Sequence, residues 1–233
     1  MKIIRGPVHS PKKVMIYSLP GAGKTTLADS IENSLLIDIE GGASENKCAK
    51  TSRIKTADEF FSVIVELIKT SEREFDYVII DTADWLMRLI INEVAEIGKN
   101  SLDKTLNKSN GGYGNGKQVL DNHVRVKLLP ALAMLIDRGY GVVLLAHAEM
   151  KTLMDADGVD VEKISPKIDP TTLSAFVEWC DAIYYLKTDD DGNRTIRVSS
   201  TSDITAKNRF GLQGEYELAK TNIMDLLDKK GDE

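Results

Sequence analysis

The stretch from Val14 to Leu27, Val-Met-Ile-Tyr-Ser-Leu-Pro-Gly-Ala-Gly-Lys-Thr-Thr-Leu, constrains this chain more than any other feature. Val14–Ser18 is short and apolar on consecutive positions, as expected of a strand buried on both faces. Leu19–Gly23 reads as a tight turn, and Lys24-Thr25-Thr26-Leu27 opens a helix. In such a turn successive backbone N–H groups can wrap a phosphate, and the helix terminus adds partial positive charge. Lys24 is placed to bridge the β- and γ-phosphates of a nucleoside triphosphate, and the Thr25 hydroxyl to ligate Mg2+. Gly21 and Gly23 let the backbone approach the phosphate oxygens with no Cβ in the way. The phosphate-binding residues expected from the pattern are therefore Ser18, Leu19, Pro20, Gly21, Ala22, Gly23, Lys24, Thr25 and Thr26. One position departs from it: the pattern opens with glycine, and Ser18 stands there.

The rest of the chain supplies a matching frame. Strand-like runs at Leu35–Ile39, Tyr77–Asp81 and Val142–His147 alternate with helical patterns at Lys24–Glu32, Ala57–Lys69, Trp85–Ile97 and Val119–Asp137. In the second of these helices Phe60, Phe61, Ile64, Leu67 and Ile68 recur at three-to-four spacing, giving one apolar face. Pro130 should kink or split the last. Such alternation predicts an α/β fold with a mostly parallel central sheet flanked by helices. Ala182–Lys187 and Thr195–Ser199, separated by Asp189-Asp190-Asp191-Gly192-Asn193, read as a C-terminal β-hairpin. Glu215–Leu227 reads as a terminal helix with a frayed polar tail, Asp228–Glu233. Residues 99–117, rich in glycine, and 149–168, polar and acidic, read as long loops, which in compact domains tend to be functional or mobile.

With 233 residues, 42% of them hydrophobic, the chain suits a single domain over residues 1–233, its core about 12–215 and a C-terminal helix and tail over 215–233. The net charge of −6 counts against a dedicated nucleic-acid binder, which is usually basic. Two cysteines, Cys48 and Cys180, make no disulfide framework. With no apolar leader and no long apolar span, the expected location is the cytoplasm.

Two further features complete a hydrolytic site. Phe75-Asp76-Tyr77-Val78-Ile79-Ile80-Asp81-Thr82 is a hydrophobic strand ending in an acid, so Asp81 is the expected metal-site carboxylate beside Thr25. Leu36-Ile37-Asp38-Ile39-Glu40 places Glu40 just past a strand end, as a general base for water, while Asp38 belongs to the strand or orients its end.

Together these segments resemble the RecA-like ATPase core, and most closely the small phage RecA-like ATPases of the single-strand-annealing or recombinase type. The resemblance covers roughly residues 12–215. It rests on the P-loop Pro20–Thr25, Ile37–Glu40, Ile79–Thr82, Leu144-Leu145-Ala146-His147 and Ala206-Lys207-Asn208-Arg209-Phe210-Gly211. It implies ATP as ligand with Mg2+, Lys24 and Glu40 in catalysis, and His147 as the γ-phosphate sensor that relays to the following loop. It also implies that Lys207 and Arg209 reach a neighbouring subunit's ATP, so that the protein forms a ring or filament with ATP at the interface. The strand Val142–His147 should lie between the P-loop strand and the Tyr77–Asp81 strand.

The same resemblance makes the glycine-rich segment a first DNA-binding loop. Residues 97–127 carry Lys99, Lys104, Lys108, Lys117, Arg125 and Lys127 against Asp103 and Asp121. Lys108, Tyr113 and Lys117 are the expected contacts to single-stranded DNA, a charge track with a stacking platform. The second loop, 149–168, has five acids and three lysines, which weakens a two-loop grip. Its Asp155-Ala156-Asp157-Gly158 lacks the spacing of a calcium loop. Two other functions remain open on sequence alone: an ATP-dependent switch or loader for a protein partner, and a small-molecule kinase.

Overall fold

The computed structural model describes residues 12–97, 106–107, 109–110, 113–154 and 160–227. Six strands run parallel: β1 (Lys13–Ser18), β2 (Ser34–Asp38), β3 (Ala49–Lys50), β4 (Tyr77–Asp81), β5 (Gly141–Met154) and, completing the set, β7 (Ala182–Thr188). β6 (Asp160–Pro166), β8 (Arg194–Arg197), β9 (Lys207–Asn208) and β10 (Glu215–Glu217) join antiparallel. The spatial order is β10-β8-β7-β1-β5-β4-β2-β3, with β6 on β5 and β9 on β7. The strand carrying His147 thus lies between β1 and β4, as the resemblance implied. Through β5 the parallel strands added after β1 all lie on one side of it; β7 crosses to the other. The topology therefore switches at β1, and α/β sheets open a binding crevice at such points, beyond the carboxyl ends of the strands.

Alternate side chains of the parallel strands face opposite ways, and each face is covered by its own helices. Met15, Tyr17, Ile37, Ile80, Leu144 and Ile183 share one core with α2 (Ala57–Lys69), α3 (Ala83–Ile97), α4 (Asn115–His123), α5 (Leu129–Asp137) and α6 (Pro170–Trp179). Val14, Ile16, Leu36, Ile79, Leu145 and Tyr184 share the other with α1 (Lys24–Ala28) and α7 (Ile223–Leu227). Burial of strand residues on both faces explains why these segments read as unbroken apolar runs. Each fully buried Leu, Ile or Val contributes about 1.5–3 kcal/mol relative to exposure. Among the described residues no helix is long and apolar enough to cross a membrane.

The helical pattern around Pro130 is neither kinked apart nor regular. α4 and α5 are joined by a π-helical turn over Val124–Leu128, in which the Leu129 amide donates to the Val124 carbonyl. Pro130 has no N–H for the Val126 carbonyl, and one wide turn absorbs the missing bond. Val126 is 66% exposed, so water can take that carbonyl.

Three segments differ from expectation. Most of residues 149–168 is not a loop: β5 continues past the sheet and pairs with β6 from Ala148↔Pro166 to Met154↔Asp160, forming a two-stranded ribbon. Alternation of Met150, Thr152, Glu162 and Ile164 with their neighbours was masked by the polar, acidic composition. Its turn, including Asp155 and Asp157, lies outside the described residues. Glu215–Leu227 is not one helix. Glu215–Glu217 is β10, paired to β8, and only Ile223–Leu227 is helical, because β8 offers a free edge and Gly214 takes φ 76° before it. The helix opening at Lys24 ends at Ala28 rather than Glu32, with Asn33 at φ 49° returning the chain to β2.

The ribbon is anchored to the sheet beneath it. The buried Tyr17 hydroxyl donates to Thr205 O at 2.7 Å and Ile164 O at 3.2 Å, tying β1, β6 and the 201–205 segment together. Tyr17→Phe strips a donor from two carbonyls, which should destabilise the fold by about 1–2 kcal/mol and lower Tm by about 2–6 °C. Hydrogen exchange should localise the loosening to Ile164 and Thr205; uniform exchange across the sheet would contradict this anchoring.

Candidate active site

The loop after β1 has the geometry its composition suggested. Gly21 and Gly23 both take φ 83°, the left-handed region that favours glycine. The amides of Gly23, Lys24 and Thr25 have no backbone acceptor among the described residues, so the turn keeps a row of unpaired donors. Ser18 fits without a positive φ: it is the buried last residue of β1, and its hydroxyl takes the Lys24 Nζ at 3.1 Å. The serine that replaces the usual glycine thus parks the lysine. Lys24 is 6% exposed, and burial pushes its ammonium below the ordinary lysine range, opposed by the carboxylates of Glu40, Asp81 and Asp84. Leu19, Pro20 and Gly21 form the exposed lip of the turn, Ala22 is buried beneath it, and Thr26 is exposed on the first turn of α1.

Strand order brings the acids to this loop. In register Ser18 faces His147 across β1–β5, while Asp38 faces Asp81 across β2–β4. The Thr25 hydroxyl donates to Asp81 Oδ2 at 2.9 Å. The other oxygen, Oδ1, is buried with no hydrogen-bond partner. Burial, then the neighbouring carboxylates of Glu40 and Asp38, raise the Asp81 carboxyl to about 6, against the Thr25 hydroxyl bond and the Lys24 charge. A lone buried carboxylate oxygen next to a hydroxyl and three orphan amides fits a hydrated Mg2+ carried by a polyphosphate. Among the described residues no three His, Cys, Asp or Glu side chains group to hold a metal on their own, so phosphate oxygens must complete such a shell.

Glu40 stands just beyond β2, its amide donating to Asp81 O at 3.1 Å, and its side chain is about one-third exposed. Asp38 instead turns inward to accept from the Gly41 amide at 2.6 Å, which shapes the strand end. His147 Nε2 lies 3.6 Å from Glu40 Oε1. On its other side the ring is held by Asp84, which accepts from His147 Nδ1 at 3.0 Å and from the His147 amide at 3.0 Å. Asp84 therefore fixes the ring with Nε2 toward Glu40. Asp84, 4% exposed on the first turn of α3, was missed in the sequence. Its signal was its place three residues after Asp81, at the start of the helix that leaves the same crevice.

The other expected site residues lie apart from this cluster. Lys207 and Asn208 pair with Ile183 and Ala182, at the start of β7, whereas Thr188 at its end donates to Ala22 O at 3.2 Å. Five strand residues, about 16 Å, separate Lys207 from its own loop. Lys207 Nζ is committed to Val177 O at 2.6 Å and Cys180 O at 2.7 Å, closing the C-terminus of α6. Arg209 is more open, its side chain 56% exposed and 3.5 Å from Asp181. Tyr113 is fully exposed at φ 52° and Lys117 is exposed on α4, but Lys108 lies outside the described residues, as do Lys99 and Lys104. Arg125 pairs with Asp121 and Glu178, and Lys127 with Glu93, so those two cations add less free charge to the 97–127 segment than the count of lysines and arginines suggested.

The sequence model of one family, AAA_24, described as an AAA domain, matches residues 10–210. The chain belongs to this AAA domain family. The match spans the loop, both acids, His147 and the β7–β8 hairpin, and with the sheet described above it makes the protein an α/β P-loop NTPase. That membership implies nucleotide binding, typically with Mg2+, and suggests ATPase chemistry; it does not imply the recombinase type. No curated protein matches the chain.

Since the Asp81 carboxyl titrates near 6 in the nucleotide-free AAA domain, its ionised form destabilises the fold. The folded state keeps a proton that the unfolded chain has released, so stability falls as pH rises from about 4 through about 6 and stays lowered above. A metal needs that carboxylate ionised. Mg-nucleotide affinity should therefore rise about tenfold per unit up to pH 6, level off above 7, and release a proton on binding below 6, as read by calorimetry in buffers of different ionisation enthalpy. Asp81→Asn should abolish Mg2+ dependence yet raise Tm at pH 8 in chelator. A lower Tm there would show the carboxylate to be a structural support.

Proposed function

We propose that this AAA domain hydrolyses ATP with Glu40 as general base, Lys24 on the phosphates, and Thr25 and Asp81 at the metal. The observation that carries the reading is the chain Asp84–His147–Glu40 ending beside the loop that holds Lys24. Thr25 and Asp81 would hold Mg2+, which would supply neutralisation of the charge developing on the phosphates. The protein's own part is positional. The orphan amides and the Lys24 ammonium, released from Ser18, hold the phosphates. Glu40, open to solvent at the crevice, accepts the proton of an attacking water. Asp84 holds the His147 ring and backbone amide, which sets Nε2 3.6 Å from the Glu40 carboxylate.

Single-stranded DNA is the proposed effector, and assembly into a ring or filament the proposed working state. Tyr113 supports the first: an aromatic ring wholly in solvent, between glycines and beside the exposed Lys117, is suited to stacking on a base. Arg209 supports the second, being solvent-facing and too far from its own loop to act in cis. With Lys207 tied to α6, Arg209 is the side chain left to reach a neighbour's nucleotide. His147 is the last sheet residue before β5 becomes the ribbon, and its carbonyl accepts from the Lys167 amide at 2.7 Å, so a γ-phosphate sensor there is joined directly to both ribbon strands.

Glu40→Gln should bind Mg-ATP with near wild-type affinity and lower kcat by about 10²–10⁴-fold. Asp84→Asn should give a smaller loss with a shifted pH–rate profile, since it acts through His147, and Lys24→Ala should lose binding itself. Normal turnover by Glu40→Gln would remove Glu40 as the base. Poly-dT should stimulate turnover together with assembly seen by light scattering, and Tyr113→Ala should lose that stimulation while keeping basal turnover. An ATPase indifferent to DNA would leave a protein-directed switch as the function.

A further inference from the structure

We propose that Arg194 is a second cation for the diphosphate of the bound nucleotide, supplied in cis by the β7–β8 hairpin. This rests on the P-loop reading above and adds to it a residue from the opposite side of the loop. Arg194 opens β8 directly across from Thr188, the last residue of β7. Both touch the loop. The Thr188 hydroxyl donates to Ala22 O at 3.2 Å, and a Cβ built on Gly23 would come within 3.2 Å of Arg194 Nη1 and 3.6 Å of its Cδ. The guanidinium therefore lies over the residue that immediately precedes Lys24.

What it lacks is a partner. Among the described residues the Arg194 guanidinium makes no hydrogen bond and no ion pair, although acids crowd the adjoining turn. The Asp189 carboxylate is taken by the amides of Asp191 and Asn193 and by the Asn193 side chain. The nearby Arg197 is satisfied by Glu215 on β10. The Arg194 side chain is partly buried, its five donors have no partner among the described residues, and they stay open to a ligand. That fork matches the oxygens of a carboxylate or a phosphate, and the neighbouring orphan amides and Lys24 select phosphate.

Strand order says which phosphates. Asp81, Glu40 and His147 stand on β4, beyond β2 and on β5, all to one side of β1, whereas the hairpin stands to the other. With its γ end among the hydrolytic residues, the nucleotide runs its α- and β-phosphates and its nucleoside toward β7 and β8. A cleft of about 290 Å3 opens there between Leu19–Ala22 of the loop and Tyr185–Thr188 of β7, next to Arg194. Arg194 thus holds the part of the nucleotide that survives hydrolysis, which distinguishes it from a finger acting on the γ-phosphate.

The test is the affinity of purified wild type, Arg194→Ala and Arg194→Lys for Mg-ADP and Mg-ATP, by calorimetry. Arg194→Ala should raise both dissociation constants by the same factor, about 10–100-fold for a lost charge-assisted bond, and Arg194→Lys should fall between. Without nucleotide the alanine variant should melt with the wild type, since no protein group loses a partner. Should it fail to fold, Arg194→Lys alone decides, by the same paired loss. Unchanged affinity for both nucleotides, or a loss confined to ATP, overturns the assignment. Wild type that binds neither nucleotide sinks the loop reading itself, and Arg194 with it.

Discussion

Lys24 and Asp81 are both withdrawn from water, and neither has the other as an ion-pair partner. Lys24 leans on the Ser18 hydroxyl, Asp81 on the Thr25 hydroxyl, and one carboxylate oxygen of Asp81 meets nothing. Burying charge without compensation is among the more expensive things a fold can do. Here it is tolerated where the sheet topology switches, beside loop amides of Gly23, Lys24 and Thr25 that have no backbone acceptor among the described residues. The consequence is a site that is unfinished in the free protein and satisfied by a polyanion together with a cation. The pKa shifts of both groups run in the direction that records this debt: the lysine down, the aspartate up.

Everything around that pair is arranged by which strand lies next to which. Placing β5 between β1 and β4 sets His147 beside Ser18 and one strand from Asp81, so that Asp84 can reach it from α3. Sending β7 to the other side of β1 gives the loop a second wall, made by Thr188 and Arg194. The site thus has two flanks of different character. One is acidic, with Asp81, Glu40 and Asp84 around His147; the other presents an arginine and an open cleft. β5 also continues beyond the sheet as the ribbon, anchored below by Tyr17, so His147, 3.6 Å from Glu40, lies on the strand that forms it.

Much of this was readable in local patterns because local chemistry dictates it. A buried strand must be apolar on successive positions, so β1, β2, β4 and the sheet portion of β5 announced themselves. α2 did too, since its apolar stripe has helical period and Thr56 and Glu59 cap its start. Patterns failed where composition masked period or a neighbour overrode propensity. The ribbon was hidden by its charges, and Glu215–Glu217 took strand form because the free edge of β8 offered hydrogen bonds that a short helical segment could not match.

The same division runs through the site. Sequence by itself determined the phosphate loop, the acid at the end of β4 and the glutamate beyond β2, because each follows within a few residues of a strand end and its chemistry depends on that spacing. Tertiary structure alone decided that Ser18 could replace glycine by receiving Lys24, that Asp84 holds His147, that Lys207 closes α6, and that Arg194 lies over Gly23. Those contacts join residues 6 to 171 positions apart or turn on which partner wins a shared group. A linear pattern carries no such information: only strand order and packing fix which side chains meet.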